Sequence, residues 1–149
     1  MTRPILFLLI LSGTIVYAWW RGDRDNRRVA IICAVATLAS QLVARPVALR
    51  FSGVETGVFA VDVATFAAFT MVALSSSRFW PLWVAGLQLT ASLSHLLKQV
   101  DLSLLPTAYA VATIFWSYPI VVILAIGTWR AHQRRIAEGR LSQPRPTAG

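Results

Sequence analysis

The chain has 149 residues, of which 56% are hydrophobic and only 13% are charged, and its mean hydropathy is +0.62. Soluble domains carry roughly 25% charged residues, so this composition argues against a water-soluble globule. The formal net charge of +8 comes from basic residues that cluster between long uncharged runs. The charges therefore flank the apolar segments.

Five apolar stretches follow one another along the chain with short connections. A helix needs about 20 mostly apolar residues to cross a hydrocarbon layer of about 30 Å, because every backbone polar group must be bonded within the segment. We predict an all-α fold, a compact bundle of five transmembrane helices. The predicted spans are residues 4–20, 29–49, 54–75, 80–99 and 106–129, followed by a basic cytoplasmic tail at residues 130–149.

The first stretch resembles a secretory signal peptide, because Arg3 precedes an apolar run and Val16-Tyr17-Ala18 offers small residues at a cleavage position. Its removal would place the arginine-rich segments outside the cell. Lys and Arg in short loops instead favour the cytoplasmic side. We therefore expect the first helix to be retained.

The distribution of basic residues predicts an N-out, C-in orientation. With five helices, ten basic residues lie on the cytoplasmic side and four on the outer side, which is the bias that sets topology. The cytoplasmic ones are Arg21, Arg24, Arg27, Arg28, Arg78, Arg130, Arg134, Arg135, Arg140 and Arg145, and the outer ones are Arg3, Arg45, Arg50 and Lys98.

The basic segments are interpreted as topology and lipid contacts. Arg21, Arg24, Arg27, Arg28, Arg130, Arg134 and Arg135 lie next to predicted spans, where each attracts anionic headgroups by about 1 kcal/mol. They lack the interleaved aromatic residues that single-strand binders use, so we expect no nucleic-acid partner. The excess of Arg over Lys and the many Ala residues are typical of a GC-rich bacterial genome, so the membrane that we expect for this chain is a bacterial inner membrane.

Polar residues inside the predicted spans fall near one depth. Arg45 and Gln41 share a face of the second helix, Asp62 lies about 10 Å below the outer end of the third, and His95 lies near the outer end of the fourth. We predict an intramembrane polar cluster in which Asp62 pairs with Arg45. Its candidate residues are Arg45, Asp62, His95, Gln41, Tyr109 and Gln88.

No cofactor or metal is expected. Cys33 is the only cysteine, which rules out an intramolecular disulfide and a site of several cysteines. His95 and His132 lie on opposite sides of the predicted membrane, so they cannot both ligate one haem. No P-loop, dinucleotide-binding or zinc-protease motif occurs in the chain, which favours a non-enzymatic role but leaves an enzyme as an open alternative.

Three functional hypotheses remain open. The first is a non-enzymatic accessory or assembly subunit, or a small-ligand-binding membrane protein, with a membrane protein partner or a homo-oligomer. Small residues on the third helix, namely Gly57, Ala60, Ala64 and either Ala67 or Ala68, would allow another helix to approach closely. The second is a proton-coupled transporter acting as a homo-oligomer, with Asp62 and His95 as proton sites. The third is a membrane enzyme on a lipid-linked or quinone-like substrate.

Overall fold

The computed structural model describes residues 2–43, 56–100 and 117–141. Within these ranges the chain is all-α and contains no strand. The five helices are α1 (Thr2–Arg21), α2 (Arg24–Val43), α3 (Thr56–Ser75), α4 (Trp80–Val100) and α5 (Ser117–Leu141).

The five helices form a closed ring. Each of α1 to α4 packs against the next helix described along the chain, and α5 returns to pack against α1. The contact between α3 and α4 is the most extensive, and α2 also reaches α5. The ring brings the end of α1, the start of α2, the end of α3, the start of α4 and the C-terminal half of α5 to one end of the bundle.

Two short turns between helices set this arrangement. Hydrogen bonds and a proline at the adjoining helix ends fix where each turn lies. The Gly22 N–H donates to the Ala18 carbonyl over 2.9 Å, which completes the last turn of α1. Asp23 then caps α2, since its carbonyl accepts the first helical bond from the Arg27 N–H at 3.1 Å. Pro81 lies in the first turn of α4, where proline's missing N–H costs nothing.

Apolar side chains lie on the outside of the bundle as well as in its core. Leu42 is 86% exposed and Leu74 is 81% exposed, and every helix carries large exposed hydrophobic residues. Several polar side chains are buried instead, and four of these bond to a carbonyl one turn back in their own helix. The buried polar residues are Thr14, Asn26, Thr65, Gln88, Ser92 and Thr128.

Among the described residues, one helix is long and apolar enough to cross a membrane, namely α3. A shorter apolar helix covers Ile5–Arg21. The helices α2 and α5 instead join an apolar stretch to a highly charged one without a break. Thus α2 begins at Arg24, five residues before the predicted span, and α5 continues through the basic tail to Leu141.

Candidate functional site

Asp62, the centre of the predicted polar cluster, is bonded to Gln88. Gln88 Nε2 donates to Asp62 Oδ1 over 3.0 Å and lies 3.4 Å from the Asp62 carbonyl oxygen. Gln88 is buried and Asp62 is half-buried, and the bond crosses the contact between α3 and α4. These two members of the predicted cluster are thus brought together.

Of the other four predicted members of the cluster, only Gln41 has a described side chain. Arg45 and Tyr109 lie outside the described residues, so the predicted pairing of Asp62 with Arg45 remains a prediction. His95 belongs to α4, but its side chain also lies outside the described part. Gln41 is exposed near the end of α2.

A second polar network, which sequence reasoning missed, lies at the opposite end of α3. We call it the arginine end and define it as residues 22–28, 75–80 and 127–135. Its centre is a reciprocal cap on α2. Asp23 Oδ1 accepts from the Asn26 N–H at 3.1 Å, and Asn26 Oδ1 lies 3.3 Å from the Asp23 nitrogen, which donates to it.

Bonds from other helices tie this cap into the bundle. Arg134 of α5 lies 3.6 Å from Asp23 Oδ2, and Arg135 Nη2 donates to the Gly22 carbonyl over 3.0 Å. On the other side, the Ser76 hydroxyl donates to Asp25 Oδ2 at 2.5 Å. The turn between α1 and α2 is therefore held both by α5 and by the turn between α3 and α4.

Arg28 adds a weaker bridge between the same elements. Its Nη1 lies 3.8 Å from Asp25 Oδ1 and 3.5 Å from the Ser75 hydroxyl oxygen. These groups are partly exposed, so each contact contributes little by itself. Their common effect is to fix α2 against the end of α3.

The cap is closed by a tight contact between α2, α4 and α5. Asn26 is completely buried. A Cβ atom placed on Gly127 would lie 3.1 Å from Asn26 Nδ2 and 3.2 Å from two ring carbons of Trp80. Gly127 thus lets α5 approach both side chains. Asn26 Nδ2 and Trp80 Nε1 are buried there without a hydrogen-bond acceptor in the described structure.

A cavity of about 210 Å³ opens beside this contact, between the start of α4 and the middle of α5. Its charged wall consists of Arg78, Arg130 and Arg134, and its apolar wall of Phe79, Trp80, Ile123, Ile126 and Gly127. Within the described ranges, neither Arg78 nor Arg130 forms an ion pair. Positive charge and apolar surface therefore meet in one recess.

The sequence carried a signal for the cap that hydropathy obscured. Gly22 followed by Asp23 marks a helix end and a helix start, and Asn26 stands three residues after the cap. Because residues 24–28 are all charged or polar, hydropathy assigns them to a loop. The cavity carried no such signal, since Arg78 and Arg130 are 52 residues apart in sequence.

No family model, curated protein or solved structure matches this chain. In the part of the chain that the structure describes, no group of three or more His, Cys, Asp or Glu side chains is arranged to hold a metal ion. Its function is therefore argued from the two polar sites and from the exposed helix faces.

We expect Asp23→Ala to lower the free energy of unfolding by about 1 kcal/mol, because the substitution removes the acceptor for the Asn26 N–H at the start of α2. Denaturation of the purified protein in detergent, followed by circular dichroism, measures this change. Glu138→Ala is the matched control, since Glu138 is exposed near the end of α5. Equal stability of the two variants would show that the cap does not support the bundle.

Proposed function

We propose that this chain is a small non-enzymatic integral membrane protein that acts as an accessory or assembly subunit. In this proposal five helices span a bacterial inner membrane, N-out and C-in. The distribution of side chains supports the membrane placement, because large apolar residues are exposed on every helix while Asn26, Gln88 and Thr128 are buried. A chain folded in water would be expected to bury more of its apolar surface.

The arginine end supports the proposed orientation. It gathers basic residues from three parts of the chain and includes the exposed Trp129, and the exposed Trp19 and Trp20 lie close to it in sequence. The Arg27 guanidinium lies 5.7 Å from the centre of the Trp19 ring. Tryptophan rings beside arginines are typical of the headgroup layer, and an excess of arginine is typical of its cytoplasmic side.

The exposed small residues of α3 are the evidence for the proposed assembly role. Ala60, Ala64 and Ala67 are exposed on α3, which is otherwise the most apolar helix of the bundle. Small residues at this spacing let a second helix approach closely in a membrane, where packing rather than hydrophobicity drives association. This face is the observation that favours a subunit over an isolated monomer.

The experiment compares two substitutions that add bulk. Ala64→Phe fills the small-residue face of α3, whereas Val122→Phe enlarges an exposed residue of α5. The mass of the tagged protein, extracted from native membranes in mild detergent, is measured by light scattering. We expect wild type and Val122→Phe to exceed the 16.4 kDa of one chain and Ala64→Phe to fall toward it. A monomeric wild type would contradict the assembly role.

A second candidate is a proton-coupled transporter that works as a homo-oligomer, with Asp62 and His95 as proton sites. One observation favours it, namely that Asp62 is a half-buried carboxyl group bonded across two helices by Gln88. Ionisable residues inside membrane spans are often proton sites. Substrate flux in proteoliposomes that is lost in Asp62→Asn would support this function, and unchanged flux would contradict it.

A further inference from the structure

We propose that the cavity at the arginine end binds the phosphate of an anionic phospholipid. In this assignment Arg78, Arg130 and Arg134 hold the phosphodiester, while Phe79 and Ile126 contact the adjoining part of the acyl chains. The proposal rests on the membrane placement of the proposed function. Beyond that function, it assigns an anionic phospholipid to the cavity at the arginine end.

The charges of the cavity favour an anion. Three arginines are among the residues that line one recess, and guanidinium binds phosphate oxygens through paired N–H donors. Of the three arginines that line the cavity, only Arg134 has an acidic partner within the described ranges. Its guanidinium lies 3.6 Å from Asp23. The two remaining arginines carry positive charge that no described carboxylate neutralises. An anion with several acceptor oxygens would complement this wall.

Two buried hydrogen-bond donors lie beside the cavity. Trp80 lines the cavity, and its Nε1 is buried with no acceptor in the described structure. Asn26 Nδ2 is likewise buried without an acceptor and lies against Gly127, another lining residue. Buried donors without partners cost free energy, so such groups usually have an acceptor nearby. The polar groups in and beside the cavity are therefore mainly hydrogen-bond donors.

The apolar wall favours a lipid over free phosphate. Phe79 is 71% exposed and Ile126 is 48% exposed, so the recess opens onto apolar surface. The recess has a volume of about 210 Å³ and is open on one side, so a headgroup could enter it while the acyl chains stay outside. Inorganic phosphate would leave this apolar surface without a partner.

The cavity also lies where lipid headgroups are expected. In the proposed orientation the arginine end faces the cytoplasm, where anionic lipids attract basic residues. Trp80 lines the cavity and Trp129 precedes the lining residue Arg130 in sequence, and tryptophan is typical of the same layer. The proposed ligand is therefore present at high local concentration at this position.

The test measures lipid binding by the full-length protein in detergent. Native mass spectrometry counts the adducts formed with phosphatidylglycerol, with phosphatidylcholine and with inorganic phosphate. We expect phosphatidylglycerol to bind at least fivefold more tightly than phosphatidylcholine. We also expect Arg78→Gln and Arg130→Gln each to weaken its binding about fivefold, the factor that corresponds to about 1 kcal/mol per arginine.

Arg140→Gln is the matched control. Arg140 is an exposed arginine of α5 that does not line the cavity, so we expect its loss to change binding less than twofold. Equal weakening by Arg140→Gln and Arg130→Gln would indicate diffuse attraction and would overturn the site. Equal binding of inorganic phosphate or of phosphatidylcholine would overturn the anionic lipid as the ligand.

Misfolding is tested separately with the same variants. Phosphatidylglycerol should raise the midpoint of thermal unfolding of wild type and of Arg140→Gln, and it should raise that of Arg130→Gln by much less. A variant that unfolds cooperatively without added lipid is folded. Lipid binding in detergent depends neither on the orientation of the protein in the membrane nor on its oligomeric state. If the lipid-binding test fails, the proposed function still stands. If the protein proves to be monomeric or reversed in topology, the lipid site still stands.

Discussion

Gly22→Ala should lower the free energy of unfolding by about 3 kcal/mol, at the upper end of the cost of overpacking. The added Cβ would overlap the carbonyl oxygen of Ala18 and would lie 2.7 Å from the Cβ of Asn26. The carbonyl is backbone and Asn26 is buried, so neither can move aside without opening the turn between α1 and α2. Reversible denaturation in detergent, monitored by circular dichroism, measures the loss.

Gly13→Ala is the control for this substitution. Gly13 lies within α1, and a Cβ atom added there would have no neighbour within 4 Å. Alanine favours a helix over glycine by roughly 0.5–1 kcal/mol, so this variant should be as stable as wild type or slightly more stable. If Gly22→Ala behaved like Gly13→Ala, the close packing of the α1–α2 turn would be refuted.

Gln88→Leu should lower the free energy of unfolding by about 2 kcal/mol. The substitution nearly keeps the volume of a buried side chain but removes the donor that reaches Asp62 Oδ1 over 3.0 Å. Gln88 is itself buried, and removal of a hydrogen-bond donor to a half-buried carboxyl group costs roughly 1–3 kcal/mol. Thr90→Val is a suitable control, because the Thr90 hydroxyl bonds only within α4.

A double-mutant cycle isolates the bond between the two helices. Asp62→Leu, Gln88→Leu and the double variant should show a coupling energy of about 1 kcal/mol, since hydrogen bonds between membrane helices are worth about 0.6 kcal/mol on average and about 1.7 kcal/mol at most. A coupling below roughly 0.3 kcal/mol would mean that the two sites are independent. In that case the bond would not join α3 to α4.

The sequence predicts the helical class because apolar runs are long and lack strand-like alternation. It also identifies Asp62 and Gln88 as residues of one polar site. It does not predict that they bond directly, since the predicted partner of Asp62 is Arg45. The reach of a glutamine side chain and the close contact of α3 with α4 bring them together.

The arginine end shows a different limit of sequence reasoning. Charged residues flanking a span are accounted for by topology alone, so nothing in their number indicates that Arg134 and Arg135 reach back to the turn at Gly22. That contact depends on α5 continuing as a helix past Trp129. It also depends on Gly127 admitting Trp80 and Asn26. Both are properties of packing between distant segments.

The central claim is that the arginine end faces the cytoplasm and that five helices span the membrane. Cysteine labelling tests it directly, because Cys33 is the chain's only cysteine and Cys33→Ala provides a background without thiols. Single cysteines are then introduced by Ser77→Cys at the arginine end and by Ala137→Cys just beyond it in α5. Ser52→Cys and Ser103→Cys place cysteines in the predicted outer connections. Intact cells are treated with a membrane-impermeant maleimide before and after permeabilisation.

We predict that the cysteines at positions 52 and 103 react in intact cells, and that those at positions 77 and 137 react only after permeabilisation. Permeabilised cells supply the control, since all four cysteines should react in them. Reaction of all four in intact cells, or the reverse pattern, would contradict the proposed membrane arrangement.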